Sequence, residues 1–78
     1  MSNNDLIIHI DQLHTTELGV KRIQRNLHLQ NVDVVEFCRG MILREDATIV
    51  RNGKNWYISI DDCVITVNAH SYTIITAH

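Results

Sequence analysis

From Ala47 onward the chain alternates apolar and polar residues, broken at short intervals by turn-forming pairs: Asn52-Gly53, Asp61-Asp62 and His70-Ser71. Nothing else in the sequence narrows the fold as much. Asn-Gly tolerates positive φ at both central positions of a two-residue hairpin. Strand side chains alternate between faces, so each turn sets a register and the register sorts the faces. Turns at these pairs place Ile49 opposite Trp56, Ile58 opposite Ile65, and Val67 opposite both Trp56 and Ile74. One face then carries Ile49, Trp56, Ile58, Ile60, Cys63, Ile65, Val67 and Ile74. The other carries Asn55, Asn68 and Thr73 in a row, then Tyr57, Thr66 and Ile75, then Ser59 and Val64. The pattern predicts a four-stranded antiparallel meander with one greasy face to cover.

The first half supplies the cover. Asn4 or Asp5 caps a helix with Leu6, Ile7, Ile10 and Leu13 on one side; a strand through Leu6–Ile10 is the competing reading. Thr15-Thr16 offers a second cap, leading into a helix with Val20, Ile23 and Leu27 inward. Gly19 weakens that helix, or permits close packing. Asp33 and Glu36 have capping-box spacing, and Val32 and Phe37 the spacing of a hydrophobic staple. Val34, Phe37, Cys38, Met41 and Ile42 complete a third helical stripe, closed by Arg44-Glu45-Asp46. The expectation is an α+β fold: two or three N-terminal helices, about 4–45, on one face of a β-meander, about 47–78.

At 78 residues the chain is one domain, 1–78, and 45% apolar content suffices for one core. Charged residues, at 21%, are not blocked into a tail, which argues against disorder. A net charge of −2 argues against a generally basic nucleic-acid binder but leaves room for a local basic patch. Cys38 and Cys63 are too few for a disulfide framework and form no C-x-x-C. No apolar run reaches membrane-spanning length, and the first residues lack the basic start of a signal peptide. The expectation is a cytoplasmic protein with reduced thiols and no membrane association.

The polar face offers the candidate chemistry. Asparagine is depleted in strands, so Asn55 opposite Asn68 stands out against an ordinary wet sheet face. Asn55, Asn68, Thr73, Tyr57 and Thr66 form a platform whose amides and hydroxyls can grip a base or sugar, with Tyr57 to stack. Lys21, Arg25 and His28 share one helical stripe suited to phosphates, and Arg51 and Lys54 flank the first turn. An ordinary solvated helix face accounts for the same residues. The proton-transfer candidates are His78, His70, His14 and Tyr57, with His78 foremost. Cys63 and His78 come opposite each other on the greasy face, more simply read as a buried thiol beside a frayed end. No histidine or cysteine spacing matches a metal motif, and neither metal nor cofactor is expected.

The stretches HTTELGVKRIQRNL, DVVEFCRGMI, GKNWYISIDD and ITVNAHSYTIITAH together resemble the bacterial family domain of unknown function 3781. That resemblance implies a small intracellular bacterial protein and supplies no catalytic residues. The helix–helix–strand order and the TIITAH ending are also similar to the barnase/RelE-like ribonuclease fold group, which acts on RNA from an open sheet face. This chain departs from that group in its negative charge and in lacking an arginine-and-acid set in its strands.

The leading functional expectation is RNA or nucleotide binding, extending to metal-independent ribonuclease-like cleavage, through the exposed sheet face and the basic helix. The alternative is a non-enzymatic interaction or homodimerisation module using the uncharged terminal segment Tyr72–Ala77 as a sheet edge.

Overall fold

The computed structural model describes residues 2–30 and 32–78, with side chains from Asp5 onward. The helices are α1 (Ser2–Ile8), α2 (Glu17–Leu27) and α3 (Val34–Ile42), with a 3₁₀ turn at Ile10–Gln12 after α1. Strands β1 (Thr48–Asn52), β2 (Asn55–Ile60), β3 (Cys63–Asn68) and β4 (Ile74–Ala77) follow, paired antiparallel in the order β1-β2-β3-β4. This is the expected α+β arrangement of three helices and a four-stranded meander.

The helices follow their expected stripes with local differences. The first begins earlier than expected, at Ser2, so Asn4 and Asp5 lie inside it. It breaks at His9, and Leu6 and Leu13 enter the core while Ile7 stays outside. Thr16 caps α2, its hydroxyl accepting from Gly19 N at 3.0 Å. His28 adopts a left-handed φ of 57° just past Leu27, which removes it from the stripe it was expected to share with Lys21 and Arg25. Asp33 caps α3, its Oδ1 accepting from Val35 N and Glu36 N. The reciprocal half of the capping box is not formed, because the Glu36 carboxylate turns to Arg39.

Three turns build the sheet, and each has its own chemistry. Gly53 and Lys54 make the first, with Gly53 at φ 62° and Asn52 opposite Asn55. Glycine leads this turn instead of ending it, because only the first position takes positive φ, as in a type II′ turn. Ile49 therefore faces Ile58 and not Trp56, while keeping its side of the sheet. Asp61 and Asp62, at φ 51° and 64°, form the expected second turn and set Ile58 against Ile65 and Trp56 against Val67. The last turn is longer than two residues: Tyr72 N donates to Asn68 O, with Tyr72 left-handed at φ 60°. Val67 still meets Ile74, but a bulge then leaves Ile75 without a partner. Thr66 thus meets Thr76 instead of Ile75, and Ala77 turns into the core against Ile65.

Trp56, Ile58, Ile60, Ile65, Val67, Ile74 and Ala77 from the sheet close against Leu6, Leu13, Ile23, Val34, Cys38, Met41 and Ile42 from the helical layer. All helical contributions reach one face.

The β4 end of the sheet is sealed. Ile74 N donates to His14 O, and Thr15 Oγ1 donates to Ile74 O at 2.8 Å. Asn26 Nδ2 donates to Ala77 O at 3.3 Å. His14 pairs in parallel with Thr73 as a one-residue extension of the sheet. The Tyr72–Ala77 segment is therefore terminal in the sheet, as expected, but its outward carbonyls and amide are engaged. The open edge is β1 instead.

Candidate functional site

The uncovered face is a grid of three rows across four strands. At the end holding the first and last turns, the row is Asn52, Asn55, Asn68, Thr73. The middle row is Val50, Tyr57, Thr66, Thr76. At the far end Thr48, Ser59, Val64 and His78 line up. Every platform residue expected from the sequence, namely Asn55, Tyr57, Thr66, Asn68 and Thr73, falls on this face.

Their environments differ. Thr66, in the third strand with neighbours on each side, is only 8% exposed. Tyr57 beside it is half-buried, and its hydroxyl accepts from Asn55 Nδ2 at 3.3 Å. The Asn55 Oδ1 atom is buried and has no partner among the described residues. Turning the amide over would exchange which end is orphaned without supplying a second partner. Asn68 is committed to the turn, its Oδ1 accepting from His70 N at 2.9 Å and Ser71 N at 3.0 Å.

Thr73 joins a group that the sequence did not assemble. Its hydroxyl lies 2.7 Å from Ser71 Oγ and 3.0 Å from His14 Nε2. His14 Nδ1 lies 2.8 Å from the Gln12 carbonyl, which can only accept, so Nδ1 carries a hydrogen. In the neutral ring Nε2 then accepts from Thr73, which accepts from Ser71. Ser71 Oγ also sits 3.2 Å from Asn68 Oδ1. With the ring protonated the hydroxyls reverse: Nε2 donates to Thr73, Thr73 to Ser71, and Ser71 to Asn68. An acceptor stands at each end, so both charge states of the ring are satisfied. No local signal announces this group, since His14 and Thr73 meet only through the sheet extension.

The expected cations do not converge on the grid. Lys54 sits in the first turn, and its carbonyl accepts from Ala69 N at 2.7 Å, which brings the two turns at that end together. Arg51 belongs to the covered side, its guanidinium 5.5 Å from the Trp56 ring, a cation–π contact. Lys21 and Arg25 are each two positions from buried Ile23, so they face solvent from the helical layer and not from the grid. Among the described residues the ion pairs are Arg39–Glu36, Arg44–Asp46 and Arg44–Asp61, so Lys21, Arg25, Arg51 and Lys54 engage no carboxylate. Hydrogen bonds donated to Asp61 and then to Asp46 hold the Arg44 guanidinium above its ordinary range. Charge on the sheet is thus divided lengthwise: Arg51 and Lys54 at one end, and Asp46, Asp61 and Asp62 with Arg44 among them at the other.

His78 stands at the acidic end. The bulge pairs it with Val64, its backbone exchanging bonds of 2.7 and 3.0 Å, so it shares the open face and does not meet Cys63 as expected. Four residues of β3 separate its row from the Asn68 row, about 13 Å at roughly 3.3 Å per residue. Cys63 is half-buried and Cys38 buried, both as free thiols. Burial pushes the Cys38 thiol up to about 11. Among the described residues no three His, Cys, Asp or Glu side chains gather in a way that would hold a metal ion, and no helix is long and apolar enough to cross a membrane.

Neither the curated proteins nor the solved structures include a match to this chain. A family model does match, across residues 7–78, and on that extent the chain belongs to the family described as Protein of unknown function (DUF3781).

Proposed function

We propose that this protein binds RNA or nucleotides on the uncovered sheet face, at the end where Asn55, Asn68, Thr73 and His14 meet the Lys54 turn, and that it works in the cytoplasm. One observation carries the reading: a buried Asn55 amide with an unpartnered end, held against the Tyr57 hydroxyl on a face that no helix covers. An orphaned amide atom costs about 1–3 kcal/mol; because Asn55 Oδ1 is buried, the amide has to turn outward before a base edge can bond it and recover that cost. Tyr57 offers a ring for stacking, worth about 1–3 kcal/mol per base. Lys54 supplies a phosphate contact at the same end, with Asp46, Asp61 and Asp62 at the other.

The same layout supports binding more than cleavage. Strand scission needs a base and an acid on one phosphate. The foremost proton-transfer candidate, His78, lies at the opposite end of the face from the proposed binding end, about 13 Å away.

The test is fluorescence anisotropy with a short labelled single-stranded RNA at low and moderate salt. Binding should weaken with salt, and Asn55→Ala, Tyr57→Ala and Lys54→Ala should each reduce affinity about five- to fiftyfold. Arg25→Ala, on the helical layer, should have little effect. Absence of any RNA-dependent signal at low salt removes the proposal.

A further inference from the structure

We infer that the exposed β1 edge pairs antiparallel with β1 of a second copy, joining two meanders into one continuous eight-stranded sheet. The geometry begins with the first turn. A two-residue loop aims the backbone groups of Asn52, Val50 and Thr48 at β2. Those of Ile49 and Arg51 point away from the sheet, and among the described residues no backbone bond reaches them from another element. The opposite edge is closed by His14, Thr15 and Asn26, so the two edges are treated very differently. Apolar side chains accompany the open one. Val50 is 52% exposed on the uncovered face, and α1, which contacts β1 from the covered side, leaves Ile8 70% exposed.

The strand is complementary to itself in a register centred on Val50. With the two-fold axis at Val50, the outward groups of Ile49 bond those of Arg51 in the second copy, and Val50 meets Val50. Arg51 thereby avoids its own symmetry mate, and Thr48 meets Asn52. Beyond the five-residue ladder, the turn carrying Lys54 lies at the same end as the Glu45–Asp46 segment of the second copy, and the reverse follows by symmetry. The Asp46 carboxylate is held by Arg44, but Glu45 beside it forms no ion pair among the described residues, so the end carrying Lys54 meets an acidic segment of the second copy at each end of the shared ladder. A register centred on Arg51 would instead bring two arginines together. A strand of five residues buries less than the roughly 800 Å² per partner of a standard stable interface, so association is reversible and depends on concentration.

Sedimentation equilibrium on the full chain, from micromolar to millimolar concentration, should show the mass rising toward double. Amide hydrogen exchange should show Ile49 and Arg51 gaining protection as it does. Val50→Lys places like charges on the axis and should weaken association about tenfold or more. Arg51→Pro removes an outward donor without touching the β1–β2 ladder and should do the same. Lys54→Glu should weaken it roughly fivefold, and adding Glu45→Lys should restore it. Circular dichroism confirms that each variant is folded. A mass that stays single to millimolar concentration overturns the inference. So does a dimer that folded Val50→Lys and Arg51→Pro form as tightly as the parent, or one in which the Ile49 and Arg51 amides stay unprotected.

Discussion

His14 and Thr73, 59 positions apart, are joined twice: Nε2 and Oγ1 lie 3.0 Å apart, and their backbones pair as a one-residue parallel extension of the sheet. The contact fastens the segment between the first two helices to the hairpin that ends the chain. Thr73→Val removes the hydroxyl and leaves the ring nitrogen to water, and should cost about 0.5–1.5 kcal/mol. His14→Ala should cost a similar amount. The two should be non-additive in a double-mutant cycle read by urea denaturation, with coupling of about 0.5 kcal/mol or more. Full additivity would mean the bond contributes nothing.

Gly19→Ala should destabilise the protein although alanine is the better helix former by about 1 kcal/mol. A Cβ there runs into Thr15 Oγ1, the atom that donates to Ile74 O. The methyl and that bond cannot coexist, so the substitution exchanges a helix gain for a loosened β4 edge. Thermal unfolding should show a net loss of about 1 kcal/mol or more. In Thr15→Ala, where the obstruction is gone, the same change at Gly19 should become neutral or stabilising.

Asp61 and Asp62 both sit at positive φ, a conformation that costs a non-glycine residue roughly 1 kcal/mol. Asp62→Gly produces the Asp-Gly pair that this turn favours and should stabilise by about 0.5–1 kcal/mol. Asp61 should be left alone, because it pairs with Arg44 at 2.5 Å. Gly53→Ala, at φ 62°, should move stability the other way by a similar amount. Denaturation midpoints of the two variants should bracket the parent.

Cys38 makes stability depend on alkaline pH. Its thiol titrates near 9.0 when solvated and at about 11 in the folded core. Between those values the unfolded chain holds fewer protons than the folded one, so stability is full below pH 9 and drains as pH approaches 11. Two units correspond to a loss of at most about 3 kcal/mol. Urea titrations at pH 8.5 and 10.5 should show the decline, and Cys38→Ala should make it shallower. Below pH 9, a thiol reagent should label half-buried Cys63 well before Cys38.

How much of this was readable in advance depended on range. Asp61-Asp62 fixed the central hairpin correctly, because a two-residue turn between alternating strands leaves one register that buries Ile58 and Ile65 together. Asn52-Gly53 located its hairpin but not its centre, since Gly can lead or end the turn; the slip changed partners and left the faces intact. The Asn55–Asn68 row and the Tyr57–Thr66 pair followed from the central register. The bulge did not, because Ile75 looks like any strand residue. The His14–Thr73 contact was equally invisible: no periodicity links a residue between helices to one in the last hairpin. His78 was misplaced for the first of these reasons.

Deleting Ile75 would leave every cross-strand pair of the last hairpin as it is, since Thr76, Ala77 and His78 would simply close up by one step onto the partners they already have. The residue is a spacer, present for shape and not for pairing. An extra residue in one strand bends it. Without that bend β4 would run straighter past α2, and the reach from Asn26 to the Ala77 carbonyl, already 3.3 Å, would be among the first contacts to open.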